Sequence, residues 1–166
     1  MVPSRPVEIP PRGVLSVRSS RDGNVIASYN PLVLIHLARR IDPHELRILS
    51  QLIEQGLSDG IAGGLLFVFD RKDIAGGIDP NARKLFEDLL RNRSTTVGLS
   101  GVVVLSDGFA GAVARSFVGG LLAVFGARDR LRVFPSVTEA CRALARAHDL
   151  DASRLERAYV EAAVKG

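Results

Sequence analysis

Apolar and polar residues change rhythm along this chain, and the changes mark its elements. Val14 to Ser20 (VLSVRSS) alternates with the period of a half-buried strand. Arg21-Asp22-Gly23-Asn24 is a turn signal, and Val25 to Tyr29 predicts a second strand that ends at Asn30-Pro31. Leu32 to Ile41 (LVLIHLARRI) is a denser run, read as a central strand. Asp42-Pro43-His44-Glu45 then predicts a helix start. Asp42 can accept from free N–H groups, Pro43 sits where its missing donor costs nothing, and Glu45 can reach back. Leu46, Leu49, Ile53 and Leu57 continue a helical stripe up to Gly60.

The second half repeats a strand–helix rhythm. Gly63 to Asp70 (GGLLFVFD) is a short continuous apolar run of the kind buried on both faces of a parallel sheet. After the loop 71–78, Asp79-Pro80 predicts a second helix with Ala82, Leu85, Phe86, Leu89 and Leu90 inward. Val97 to Ser106 predicts another strand, 109–125 a third helix, and Leu131 to Phe134 a short last strand. Ser136-Val137-Thr138-Glu139 is a capping box for a fourth helix reaching about His148. Asp151 caps a final helix with Leu155, Tyr159 and Ala162 on one side. Alternating strands and helices imply an α/β fold with a mixed, largely parallel sheet of four to six strands, packed with four to five helices. The leading strands should be its antiparallel members. Residues 1–12, with four prolines, read as a disordered tail; 13–150 as the domain; and 151–166 as a C-terminal helix packed on that domain or on a partner.

Composition narrows the function classes. The net charge is +4, carried by 19 Arg and 3 Lys scattered among acidic residues, with no Trp and only 5% aromatics. Nucleic-acid binding wants clustered cations and stacking rings, so this pattern argues against it. One cysteine, Cys141, permits no intrachain disulfide and suits a reducing cytoplasm. No secretory leader is legible in MVPSRPVEIPPRG. The most apolar stretch, 109–127, carries Arg115 at its middle and reads as a buried helix rather than a membrane span.

Tests for chemistry return little. His36, His44 and His148 lack metal-ligand spacing, so no metal or cofactor is expected, and His36 reads as a hydrogen-bonded strand histidine. Ser100 lies within a strand rather than at a nucleophile elbow, and Cys141 reads as a small core residue. The glycines near 60–64 and 108–111 form no dinucleotide or P-loop motif. Asp70, Asp73 and Asp79 remain, flanking one loop at the carboxyl end of a predicted central strand, where open α/β sheets bind ligands and partners.

The order of elements, together with LLFVFDRKDIAGGIDPNARKLFEDLL (65–90) and the Ala/Gly-rich third helix, resembles the STAS domain of anti-sigma-factor antagonists and their SpoIIAA-like relatives, over about residues 14–148. That resemblance implies a non-enzymatic, regulatory or scaffolding domain that binds a kinase-like partner or a second copy of itself. It implies a partner surface around the start of the second helix, and the apolar run of the third helix (109–125) offers another candidate surface; together they single out Asp70, Asp73, Asp79, Asn81, Arg83, Phe109, Arg115 and Phe117. The family's phosphorylatable Ser or Thr at the second helix start has no counterpart in Ile78-Asp79-Pro80-Asn81. Two other readings stay open. One is a carrier of a small apolar ligand held between the third helix and the sheet. The other is an enzyme of unfamiliar chemistry built on Asp70, Asp73 and Asp79 with Arg83 or Arg115.

Overall fold

The structure is a computed structural model. It describes residues 10–58, 63–70, 98–105 and 130–165, plus isolated helical positions at 80, 84, 108, 111, 112, 115 and 116. Six strands form one mixed sheet in the spatial order of the chain: β1 (Leu15–Arg21), β2 (Asn24–Tyr29), β3 (Leu32–Leu37), β4 (Gly64–Phe69), β5 (Ser100–Val104) and β6 (Leu131–Phe134). The first three pair antiparallel, and β3 through β6 pair parallel. The helices with full bounds are α1 (Pro43–Ser58), α2 (Val137–Ala147) and α3 (Ala152–Val164). The α/β class and the antiparallel start match the sequence reading. The helices expected over 79–93 and 109–125 fall largely outside the described residues. No helix among the described residues is long and apolar enough to cross a membrane.

Side-chain alternation splits the sheet into two cores. Ile26, Val33, Ile35, Phe67, Phe69, Val102 and Val104 point to the face that carries Leu49, Leu52 and Ile53 of α1. Val25, Ala27, Leu34, Leu66, Val68 and Val103 point the other way. There they meet Ala140, Cys141 and Leu144 of α2 and Leu155, Ala158 and Tyr159 of α3. A central strand such as β4 is therefore apolar at every described core position, which is why its sequence shows no alternation.

Local chemistry fixes the joints. Asp22 (φ 49°) and Gly23 (φ 86°) form the two-residue β1–β2 turn, the left-handed pair that Asp-Gly favours. At the start of α1 the capping box forms in both directions. Asp42 Oδ1 accepts from the N–H of His44 and Glu45 at 2.9 Å each, and Glu45 Oε2 accepts from the Asp42 N–H at 2.8 Å. These N–H groups, that of Glu45 foremost, hold the Asp42 carboxyl below its ordinary range against the opposing cost of burial; Arg39 and Arg21 add to it. Ser136 and Asp151 cap α2 and α3 by accepting from Glu139 N and Arg154 N.

The strand expected over 32–41 stops at Leu37. Asn24 Oδ1 takes the N–H groups of Ala38 (2.9 Å) and Arg39 (3.0 Å), so those residues leave the ladder and turn toward α1. Likewise β5 covers only 100–104 of the expected 97–106. Before β1, Asn30 Nδ2 donates to the Pro10 carbonyl, and Arg12 Nη2 donates to the carbonyls of His148 and Asp149.

Gly64, the first residue of β4, lies beneath the α2 terminus, where His148 Nε2 donates to the Leu99 carbonyl at 2.8 Å. A Cβ there would stand 2.3 Å from Leu99 O and 2.6 Å from His148 Nε2. Gly64→Ala should lower the unfolding free energy by about 2–3 kcal/mol through overpacking, read by urea denaturation. A loss below about 0.5 kcal/mol, the size of an ordinary surface change, would show that the joint yields freely.

Candidate functional site

The carboxyl ends of β3 and β4 come together at one rim of the sheet. The Asp70 N–H donates to the Leu37 carbonyl at 2.9 Å, and the Leu105 N–H donates to the Phe69 carbonyl at 2.9 Å. The ladder thus runs one residue beyond the strands and sets Asp70 on a rigid edge. The Asp70 side chain is 51% exposed.

Beneath it lies a chain of polar groups drawn from three elements. His36, next to the end of β3, points to the α2–α3 face. Its Nε2 is 3.8 Å from Asp70 Oδ2, and its Nδ1 is 2.7 Å from the hydroxyl of Tyr159 on α3. The two rings are tilted by 49° with centroids 6.0 Å apart. Tyr159 is buried, whereas His36 keeps 13% of its side chain exposed. Burial pushes the histidine below its ordinary 6.5, and the Asp70 charge partly opposes this. Burial, with Asp70 and Cys141 adding to it, pushes the Tyr159 hydroxyl above its ordinary 10. At neutral pH the ring is therefore uncharged and the phenol protonated. A carboxylate 3.8 Å from Nε2 favours the tautomer with its proton there, and in that tautomer the Tyr159 hydroxyl donates to Nδ1.

The order carboxylate, imidazole, hydroxyl resembles a nucleophile relay in outline only. A relay activates its hydroxyl, and here burial does the reverse. The other candidate nucleophiles are also quiet. Cys141 is buried in α2, and desolvation, with a smaller effect from Glu156, raises its thiol to about 12. Ser100 Oγ accepts from Leu65 N at 3.0 Å and donates to the Gly98 carbonyl at 3.3 Å, which makes it a stitch between β4 and β5. Among the described residues no group of three His, Cys, Asp or Glu could hold a metal ion.

Of the residues singled out in the sequence, Asp70 stands on the rim, and Arg115 is helical and exposed. Asp73, Asp79, Asn81, Arg83, Phe109 and Phe117 lie outside the described residues, as does the expected ligand space beneath the third helix. A cavity of about 40 Å³ opens on the α1 side, bounded by Arg18, Ser28, Val33, Leu52 and Gln55. It has room for about one water, far from what a lipid needs. Sequence reasoning placed His36 and Tyr159 correctly in strand and helix but did not pair them. The available signal was a polar residue within LVLIHL facing a helix with one hydroxyl aromatic on its buried stripe.

No protein-family model matches this chain, and neither a curated protein nor a solved structure matches it. The functional reading therefore rests on the geometry.

Two outcomes follow. Tyr159→Phe should cost about 1–2 kcal/mol of stability at pH 7.5, measured by chemical denaturation, because Nδ1 loses its donor inside a packed face. Native Cys141 should react with a maleimide at pH 8 orders of magnitude more slowly than the urea-unfolded chain; equal rates would contradict its burial.

Proposed function

We propose that this chain is a non-enzymatic regulatory or scaffolding domain of STAS type that binds a protein partner at the carboxyl rim of its sheet. The observation that carries the reading is the contrast at that rim. Asp70 offers an exposed charge on a rigid edge, while the groups behind it are hydrogen-bonded and held away from reactive protonation states. A surface that is charged, fixed and chemically quiet suits recognition better than bond making.

The element order supports the resemblance: antiparallel leading strands, then parallel strands reached by crossovers, then a C-terminal pair of helices. Pro80 and Lys84 are helical and exposed, in line with a helix that opens at Asp79-Pro80. In this reading Asp79 supplies a permanent charge at the place where the family adds a phosphate. The partner would then engage without a phosphorylation cycle. The partner is a kinase-like protein or a second copy of the chain, and the domain acts in the cytoplasm.

Light scattering over a concentration series, combined with cross-linking mass spectrometry in cell extract, tests the proposal. Self-association or cross-links concentrated at Asp70 and Lys84, reduced about tenfold or more in an Asp70→Arg, Arg115→Glu double variant, are expected for a surface built on charge pairs. A strict monomer with cross-links spread evenly over the surface would overturn it.

A further inference from the structure

The only imidazole on the α2–α3 face of β3 is also the hydrogen-bond anchor for the C-terminal helix. α3 reaches the sheet mostly through small or aliphatic side chains, Leu155, Ala158 and Ala162. Other polar ties run to α2 and to the hairpin: Thr138 Oγ1 donates to Glu156 Oε1 at 2.5 Å, and Ser20 Oγ donates to the Lys165 carbonyl at the helix end. Tyr159 ties the middle of the helix to the sheet by a polar contact, with His36 Nδ1 as its partner at 2.7 Å.

We propose that Asp70, His36 and Tyr159 form a proton-operated latch on α3: closed while His36 is neutral, and loosened when His36 takes a proton. This inference is separate from the binding role above. With Nε2 carrying hydrogen toward Asp70, the free lone pair on the ring is at Nδ1. A proton added to the ring must go there. Nδ1–H and the Tyr159 O–H then face each other as two donors across 2.7 Å. The phenol can turn its oxygen to the new N–H only by giving up its own donation to Nδ1 and directing that hydrogen elsewhere in a buried, mostly apolar face. Leaving a donor unpaired in that setting favours the conformation in which the helix has lifted away. At the same time the charged ring draws on Asp70, so an anchor to α3 is exchanged for an ion pair with the rim.

Among the described residues, few charged or titratable groups face His36. β4 presents Asp70 at its end, α3 presents Tyr159, and α2 brings the Cys141 thiol within electrostatic reach of Tyr159. β2 presents Val25 opposite His36, which carries no charge. Tyr159 and Cys141 are pushed upward and stay neutral in mild acid. The sign follows from linkage. A histidine lowered in the packed state binds its proton less readily than in the lifted state. Helix docking is therefore fully supported above pH 6.5 and weakens as pH falls below it.

Amide hydrogen exchange on the full chain at pH 7.5, 6.0 and 5.0, corrected for intrinsic rates, reads the latch. Protection of Leu155 to Ala162 should fall about tenfold across that range while α1 keeps its protection. His36→Asn offers an amide oxygen to Tyr159 but takes no proton, and its α3 protection should stay flat. Constant α3 protection in the native chain, or an equal fall in His36→Asn, would overturn the proposal. If that variant does not fold, nitrogen NMR of the native imidazole decides. The Nε2–H tautomer at neutral pH, titrating below 6.5 together with the loss of α3 protection, is expected. An Nδ1–H tautomer contradicts the latch.

Discussion

One buried carboxylate holds this architecture in register. Glu45, at the first turn of α1, is 1% exposed. An ion in such a place survives only if its lone pairs are met. Four donors meet them: Asp42 N at 2.8 Å, Asn24 Nδ2 at 3.2 Å, and Arg39 Nη2 and Nη1 at 2.8 and 3.3 Å. These donors come from the head of β2, the segment leaving β3 and the helix cap. A single side chain thus fixes where β3 ends, where α1 begins and how both sit on the β1–β2 hairpin. Asn24 completes the hub by taking the Ala38 and Arg39 N–H groups and donating to the Arg40 carbonyl.

The hub stands at the carboxyl end of β3, and so does the rim. Leu37, the last residue before the hub takes over, accepts the Asp70 N–H. His36 is its immediate neighbour in sequence. The position of the exposed carboxylate and of the imidazole behind it is therefore inherited from a polar network on the far side of the same strand end. The other face is built differently. There α2 and α3 cover the sheet with small residues and Leu, and His36 is the polar exception on β3. Apolar packing with one imidazole on β3, bonded to the helix that covers it, makes a local proton event felt by a whole helix.

The sequence made the local devices readable and the distant ones opaque. Asp-Pro-His-Glu, Asp-Gly and Ser-Val-Thr-Glu each act within four residues, so their caps and turn could be inferred from spacing. The unbroken run LLFVF required burial on both sides, and β4 has it. Asn24 reads as an ordinary turn residue, because its work on residues 38–40 and on Glu45 crosses 14 to 21 positions. The strand expected to reach Ile41 was cut short for the same reason. Ile41 remained apolar because it is buried in the connection rather than in the ladder. The His36–Tyr159 bond joins positions 123 apart, and no periodicity encodes it. Of the eight residues expected at a partner surface, Asp70 could be placed because it ends a strand. Six belong to stretches outside the described residues.

The central claim is that the Glu45 hub, rather than apolar burial alone, sets the strand end on which the rim depends. A double-mutant cycle between Asn24→Ala and Glu45→Ala, followed by urea denaturation, tests it most directly. A hub predicts strong non-additivity, with a coupling energy of about 1.5 kcal/mol or more. Two losses that simply add, to within about 0.3 kcal/mol, would mean that the two side chains act independently and that the rim is held by something else.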